Sequence, residues 1–278
     1  MQSFSWRLMG KDVKFDRPLI VGILNLTPDS FYANSRNTTP KAALERAKNL
    51  VNDGADMLDL GAESTRPGSA LIDEAEEGRR LFPALEMIRK AFPDLLLSID
   101  TRRANIAEVA LSMGADVIND VSALSDAKMA SVAAKSGAGF ILMHSPKDLA
   151  SGRNEDISTT EVEAFLKEKT AELLKAGLPI DCVVWDPGLG FGKTMEANWR
   201  LTEELDKLNA PGGRIMYGAS RKRFTRPDPA QPESESNSGL LGTIRANRIA
   251  ISKGAFLLRV HDVKEARDLL TEGESYAS

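Results

Sequence analysis

One feature constrains this chain more than any other. Eight short runs rich in Val, Ile and Leu recur along it, each separated from the next by a longer amphipathic stretch. The runs cover residues 19–25, 56–60, 95–100, 116–119, 139–144, 182–186, 214–218 and 255–260. Runs so uniformly apolar are expected of strands buried on both faces of a parallel sheet. Eight strand–helix units in about 250 residues is the arithmetic of an α/β fold of the (β/α)8 barrel type. A doubly wound open sheet is the runner-up, but it usually carries a Gly-rich turn after its first strand. Here the first run ends Asn25-Leu26-Thr27-Pro28-Asp29-Ser30, with no glycine.

The segments between the runs start and stop like helices. Thr39-Pro40 reads as an N-cap followed by proline at the first helical position. Asp73 with Glu76, and Asp262 with Glu265, resemble capping boxes. Gly54, Gly114, Gly137 and Gly254 each stand just before a run, where a left-handed residue closes a helix. Residues 3–15, with Gly10 at the turn, are expected to form a β-hairpin that closes the barrel bottom. No linker divides the chain, so residues 1–278 are read as one barrel domain. Two stretches, 145–156 and 223–238, read as long loops.

Composition excludes several classes. Lys and Arg number 36 against 40 Asp and Glu, a formal charge of −4. Such a chain is a poor candidate for general nucleic-acid binding. The one cysteine, Cys182, rules out an internal disulfide framework and a cysteine zinc cluster, and suits a reducing cytosol. With only His144 and His261, a multi-histidine metal site is excluded as well. No run approaches the ~20 apolar residues that a membrane helix needs, so neither membrane nor nucleic acid is an expected partner.

In a parallel barrel the chemistry lies at the carboxyl ends of the strands. The residues there are Asn25, Asp59 with the 63–66 loop, Asp100, Asn119, His144, Asp186, Ser220 to Lys222, and Arg259 with His261. One polar residue after a strand is often only a helix N-cap; a full ring of them is harder to explain that way. The ring divides by charge. Asp100, Asn119 and Asp186 form an acceptor-rich half suited to a heterocycle with adjacent N–H donors, such as a 2-amino-4-oxo pyrimidine edge. Arg66, Arg221, Lys222, Arg259 and His261 form a cationic half, mostly after strands seven and eight, where barrels commonly bind phosphate.

The stretch Gly188 to Thr194, GLGFGKT, mimics a phosphate-binding loop. A true one needs its first glycine at 187, where this chain has Pro187. Nucleoside triphosphate hydrolysis is therefore rejected, and the glycines are read as serving a tight turn and close approach to a ligand.

These residues resemble one family. The stretches GILNLTPDSF (22–31), GAESTRPGS (61–69), SIDTRR (98–103), INDVSAL (118–124), ILMH (141–144), DPGLGFGKT (186–194), GASRKRF (218–224) and LRVHDV (258–263) are similar, in order, to bacterial dihydropteroate synthases. The resemblance implies condensation of 6-hydroxymethyl-7,8-dihydropterin diphosphate with 4-aminobenzoate, giving 7,8-dihydropteroate and diphosphate, in folate biosynthesis. It implies catalytic roles for Asp186, Lys222, Arg259 and His261. It implies substrate contacts at Thr65, Arg66, Pro67, Asp100, Asn119, Met143, Phe191, Gly218 and Ser220. Magnesium (Mg2+) would accompany the diphosphate, with Asn25 beside it. A cytoplasmic homodimer and a sulfonamide target complete what the resemblance implies.

The chain also departs from the family pattern. After Phe31 the family often continues Ser-Asp-Gly-Gly, whereas this chain has Tyr32-Ala33-Asn34-Ser35. Ala62 replaces a usual glycine, Ser145 follows His144 where a second Met is frequent, and Arg245 and Asn247 stand where small residues are usual. Two other readings remain at this point: a corrinoid methyltransferase that shares the pterin pocket, and a non-catalytic pterin-binding homologue. Diphosphate release separates both from a synthase.

Overall fold

The fold is seen in a computed structural model that describes residues 3–27, 39–63, 72–145, 154–226 and 237–275. Two strands open the chain, β1 (Phe4–Leu8) and β2 (Lys11–Phe15), paired antiparallel. Met9 and Gly10 make the turn with φ of 49° and 78°. Two positive φ values give the twist that a two-residue hairpin needs, and glycine adopts one at no steric cost.

Eight parallel strands follow, alternating with helices. They are β3 (Leu19–Asn25), β4 (Met57–Gly61), β5 (Leu96–Asp100), β6 (Val117–Asp120), β7 (Gly139–Met143), β8 (Val183–Asp186), β9 (Met216–Tyr217) and β10 (Leu257–Val260). The helices are α1 (Pro40–Asn52), α2 (Glu74–Ala91), α3 (Ala104–Ser112), α4 (Met129–Ser136), α5 (Thr159–Lys175), α6 (Met195–Glu203), α7 (Asn237–Ser252) and α8 (Val263–Ser275). The sheet runs β8-β7-β6-β5-β4-β3-β10-β9. The bridge between Trp185 and Ile215, with Trp185 N donating to Arg214 O at 3.0 Å, joins its two edges into a barrel.

Side chains alternate across this sheet with a period of two. Ile20, Leu58, Leu97, Ile118, Phe140, Trp185, Tyr217 and Leu258 face outward into the large core shared with the helices. Val21, Met57, Val117, Ile141, Val184, Met216 and Leu257 face inward and fill the lower barrel together with Phe4, Trp6 and Leu8 of the hairpin. Two positions further along their strands, the inward residues become Asp59, Asn119, Met143, Asp186, Gly218 and Arg259. The inner face thus turns largely from apolar to polar, and a slip of one residue would bury those charges under the helices; on the outer face, Asp120 ends β6 buried and accepts from Ser122 N and Leu124 N.

Local expectations are met unevenly. Gly54, Gly114, Gly137 and Gly254 all have positive φ, as left-handed helix ends require. Thr39 caps α1. Asp73 accepts from Glu76 N at 2.8 Å, but the Glu76 carboxylate turns to Arg79 and Arg80, so only half of that box forms. The Asp262 carboxylate is taken by Arg221 Nε at 2.9 Å. A complete capping box occurs instead at Ser158 and Glu161. The expected loop at 223–238 is shorter at both ends. Arg223–Thr225 form a 3-10 turn with Phe224 buried, and α7 begins at Asn237.

Candidate active site

The polar inner residues meet in one cavity at the carboxyl ends of the strands. It is lined by Asp100, Asn119, Val121, Met143, Asp186, Phe191, Met216, Gly218, Lys222 and Arg259. Eight of the residues that the sequence singled out are here: Asp100, Asn119, Met143, Asp186, Phe191, Gly218, Lys222 and Arg259. Ser220 and His261 pair with each other beside it, Ser220 Oγ lying 3.0 Å from His261 Nδ1 and accepting from His261 N at 3.1 Å. Asn25 ends β3, the strand beside β10, opposite Gly61 in register. Thr65, Arg66 and Pro67 lie outside the described residues, as do Tyr32 to Ser35.

Charge in the cavity is interleaved, not divided into two halves. Arg259 Nε donates to Asp59 Oδ2 at 2.6 Å and Arg259 Nη2 to Asp100 Oδ2 at 2.9 Å. Burial works against the guanidinium charge, yet Asp59 and Asp100 outweigh it and hold Arg259 above its ordinary value. Burial raises Asp100 to about 7, against the pull of Arg259 and with the help of Asp59. Burial likewise raises Asp186, while Lys222, the Gly188 N–H at 2.7 Å and Arg259 oppose the rise. Lys222 is brought down to about 8 by burial, with Asp186 opposing. Arg221 leaves the site altogether: it has a φ of 55° and its side chain runs outward to Asp262. The reason is geometric. An arginine ending an apolar strand sits among carboxylates, whereas a neighbour in the following turn faces solvent.

The glycine-rich turn after β8 is built differently from a phosphate loop. Gly188, Gly190 and Gly192 have φ of 67°, 76° and 57°, so each needs glycine. A Cβ on Gly188 would stand 2.0 Å from His144 O, and one on Gly190 would stand 2.8 Å from Lys222 Cδ. The close approach is therefore to the protein itself. The N–H groups are used internally too: Gly188 N donates to Asp186 and Gly190 N to Asn198 Oδ1 at 2.6 Å. The turn holds Phe191 against Lys222, whose Nζ lies 4.6 Å from the ring centroid, a cation–π contact.

Two buried groups were not assigned a role from sequence. Lys193 turns under this loop and donates to Gly188 O at 2.7 Å and Phe191 O at 3.2 Å, with His144 Nδ1 at 3.0 Å. Burial takes Lys193 down to about 7, and burial plus the Lys193 charge takes His144 down to about 3. His144 is thus neutral and accepts from the lysine through Nδ1. Asp59 is the other. Its inward position could be read from the alternation along 57–61, but its partners Arg259 and Asn119 are 200 and 60 residues away.

The comparisons agree on the family. Residues 21–261 match the family described as Pterin binding enzyme. Dihydropteroate synthase of Streptococcus pyogenes is 36% identical over 94% of this chain and 97% of that protein. The Haemophilus influenzae dihydropteroate synthase is 33% identical over 94% of each. A probable bifunctional folylpolyglutamate synthase/dihydropteroate synthase of Halobacterium salinarum is 38% identical over 90% of this chain, which spans only 30% of that longer protein. Among solved structures, Xanthomonas albilineans dihydropteroate synthase with 4-aminobenzoic acid superposes with a TM-score of 0.89 at 35% identity, covering 100% of this chain and 99% of that one. The same enzyme with 7,8-dihydropteroate gives 0.85 at 33% identity over 99% of each chain. This chain belongs to the pterin binding enzyme family, and within it to the dihydropteroate synthases.

Proposed function

We infer that the chain joins a hydroxymethyl-dihydropterin diphosphate to 4-aminobenzoate, forming dihydropteroate and releasing diphosphate. One observation carries this reading: a single cavity gathers buried acceptors (Asp100, Asn119, Asp186) with half-buried cations (Lys222, Arg259) and an aromatic ring, Phe191. A flat bicyclic ring rich in N–H donors fits the acceptors, and its anionic tail fits the cations.

The residues divide the chemistry as follows. Asp186 and Asn119 grip and orient the ring. As the C–O bond to the diphosphate breaks, the pterin methylene gains positive charge, which spreads into the ring whose N–H groups the Asp186 carboxylate holds. The departing anion meets Arg259 and Lys222, fixed donors in a dry site, where such interactions are strongest. Phe191 and Lys222 offer a face for the aminobenzoate, whose amine attacks the methylene carbon and loses its proton to solvent. No covalent enzyme intermediate is required. Ser220 and His261 stand at the rim where the diphosphate extends, with Thr65, Arg66 and Pro67 assigned to the same rim by resemblance.

Magnesium fits as a companion of the diphosphate. The Asn25 amide and the Asp100 carboxylate stand together beside Gly61, a Cβ on which would lie 3.8 Å from Asn25 Oδ1 and 3.7 Å from Asp100 Oδ2. That offers hard oxygen donors but no dedicated cage, which is how Mg2+ is commonly held alongside phosphates. Among the described residues no cluster of three His, Cys, Asp or Glu forms a separate metal site. Asn25 would hold the ion, which would supply positive charge against the charge developing on the diphosphate. A homodimer is part of this reading, carried by the family resemblance. A cytosolic location is supported by the lone buried Cys182.

The test is a coupled assay of diphosphate release with Mg2+, with and without 4-aminobenzoate. Release that depends on the aminobenzoate and matches dihydropteroate formed supports the reading. Tight binding of the pterin diphosphate without turnover would contradict it.

A further inference from the structure

Asp59 lies one layer beneath the cavity. It stands in β4 two positions before Gly61, on the inward face, and is 1% exposed. It is not part of the cavity lining, so it acts through its neighbours. Its Oδ2 accepts from two residues that do line the cavity, Arg259 Nε at 2.6 Å and Asn119 Nδ2 at 3.0 Å. A carboxylate can only accept, so it dictates which end of the Asn119 amide faces it. The NH2 end is turned to Asp59. The other end, Asn119 Oδ1, is buried and has no hydrogen-bond partner among the described residues. A buried acceptor of this kind calls for a partner, and Asn119 borders a cavity built for a ligand.

We propose that Asp59 is a positioning residue for specificity: it makes Asn119 an acceptor toward the pterin ring and holds Arg259 in the same frame. The cavity thereby selects a ring that presents an N–H at Asn119 and rejects one that presents a lone pair. Arg259 is set by the same carboxylate. With Nε on Asp59 and Nη2 on Asp100, its Nη1 is left for the anionic tail. This deepens, and rests on, the reading that the cavity takes a pterin.

The proposal makes donor and acceptor interchangeable between positions 59 and 119. In Asp59→Asn the amide has one oxygen: given to both Arg259 and Asn119, as Oδ2 is in the wild type, it puts an NH2 in the buried place of Oδ1, which has no partner among the described residues; given to Arg259 alone, it turns its NH2 to Asn119, which flips and presents NH2 to the ring. In Asn119→Asp two carboxylates face each other. In the double variant the amide at 59 donates to the carboxylate at 119, whose second oxygen is again an acceptor, and the net charge is that of the wild type.

Steady-state kinetics on the folded full chain test this. Each single variant raises the pterin diphosphate KM by about tenfold or more, the scale of one charge-assisted hydrogen bond. The 4-aminobenzoate KM stays within about twofold, and the double variant recovers most of the pterin loss. An Asp59→Asn enzyme with an unaltered pterin KM overturns the proposal, as does a double variant no better than the worse single one. The wild-type protein supplies a second measurement in case a variant fails to fold. In 15N-labelled protein without ligand, the Asn119 side-chain NH2, assigned by triple-resonance correlation, exchanges slowly with water because it is bonded to Asp59. Exchange as fast as a surface amide overturns the proposal. Failure of the wild type to bind 6-hydroxymethylpterin would instead sink the pterin reading, independently of the exchange result.

Discussion

The two ends of the barrel interior are built from the same eight strands and solve opposite problems. At the bottom, Val21, Met57, Val117, Ile141 and Val184 pack against Phe4, Trp6 and Leu8 of the hairpin. The indole of Trp6 donates to Cys182 O at 2.8 Å, and its ring meets Phe256 edge-on at 5.7 Å. Gly139 is needed because a Cβ there would stand 2.5 Å from Leu8 and 2.7 Å from Trp6. At the top, the same alternation delivers carboxylates, Arg259 and buried oxygens that lack partners among the described residues, and the turn after β9 adds Lys222. The bottom is closed and saturated; the top is charged and incomplete. The difference teaches that stability and ligand recognition are separated along the strand axis, so substitutions at the two ends should fail in different ways.

Arg259→Ala is the largest expected break, because it is the one change that crosses the division. It leaves Asp59 and Asp100 buried without their shared cation, which costs about 3–5 kcal/mol. Urea unfolding should register that loss, and kinetics should show a raised pterin diphosphate KM. If only the aminobenzoate KM moved, the assignment of Arg259 to the anionic tail would be wrong. Trp6→Ala acts on the bottom alone. It should cost about 3–5 kcal/mol in unfolding while the kcat of the folded enzyme is unchanged; a large loss of kcat would show that the two ends are coupled.

Asp186→Asn acts on the top alone. It replaces a charged acceptor of two donors by an amide that satisfies one, and kcat/KM should fall about 10²–10³-fold, in the range of other preorganised electrostatic groups. Its urea midpoint should be unchanged or higher, since the carboxylate is raised by burial and its removal relieves that cost. The smallest effect is a pH shift. Lys222, brought from 10.5 to about 8 by burial, loses its charge as pH rises through that value, so kcat/KM for the pterin diphosphate declines there. Between about 8 and 10.5 the unfolded chain holds the Lys222 proton that the folded chain has released, so this group makes stability rise with pH over the same window. Activity that falls while the contribution of Lys222 to stability rises distinguishes titration of the site from unfolding. Lys222→Arg should carry the alkaline limb upward; an unmoved limb assigns it to another group.

Much of this was legible in the chain. The alternation of strand and helix, the helix-closing glycines Gly54, Gly114, Gly137 and Gly254, and the hairpin turn at Gly10 rest on local rules of backbone geometry, which act over a few residues. The ring of polar strand ends was legible for the same reason. A period of two places Asp59, Asp100, Asn119, Asp186 and Arg259 on one face of their strands, and a parallel barrel has only one inside. The chain could not say which charges pair. Arg259 with Asp59, Lys193 with His144, and Arg221 with Asp262 are set by how far each strand is sheared against its neighbours.

By itself, then, the sequence determined the elements, their inward faces and the chemical character of the barrel mouth, because each depends on short-range periodicity and turn chemistry. The interlocking of the two charge groups, the bracing of the loop by Lys193 and the orientation of Asn119 by Asp59 belong to the assembled barrel. Those arrangements follow from closing the sheet. Closure brings Arg259 and Asp59, 200 positions apart, within hydrogen-bond distance, and in a buried site each charge is held by the partner it finds there.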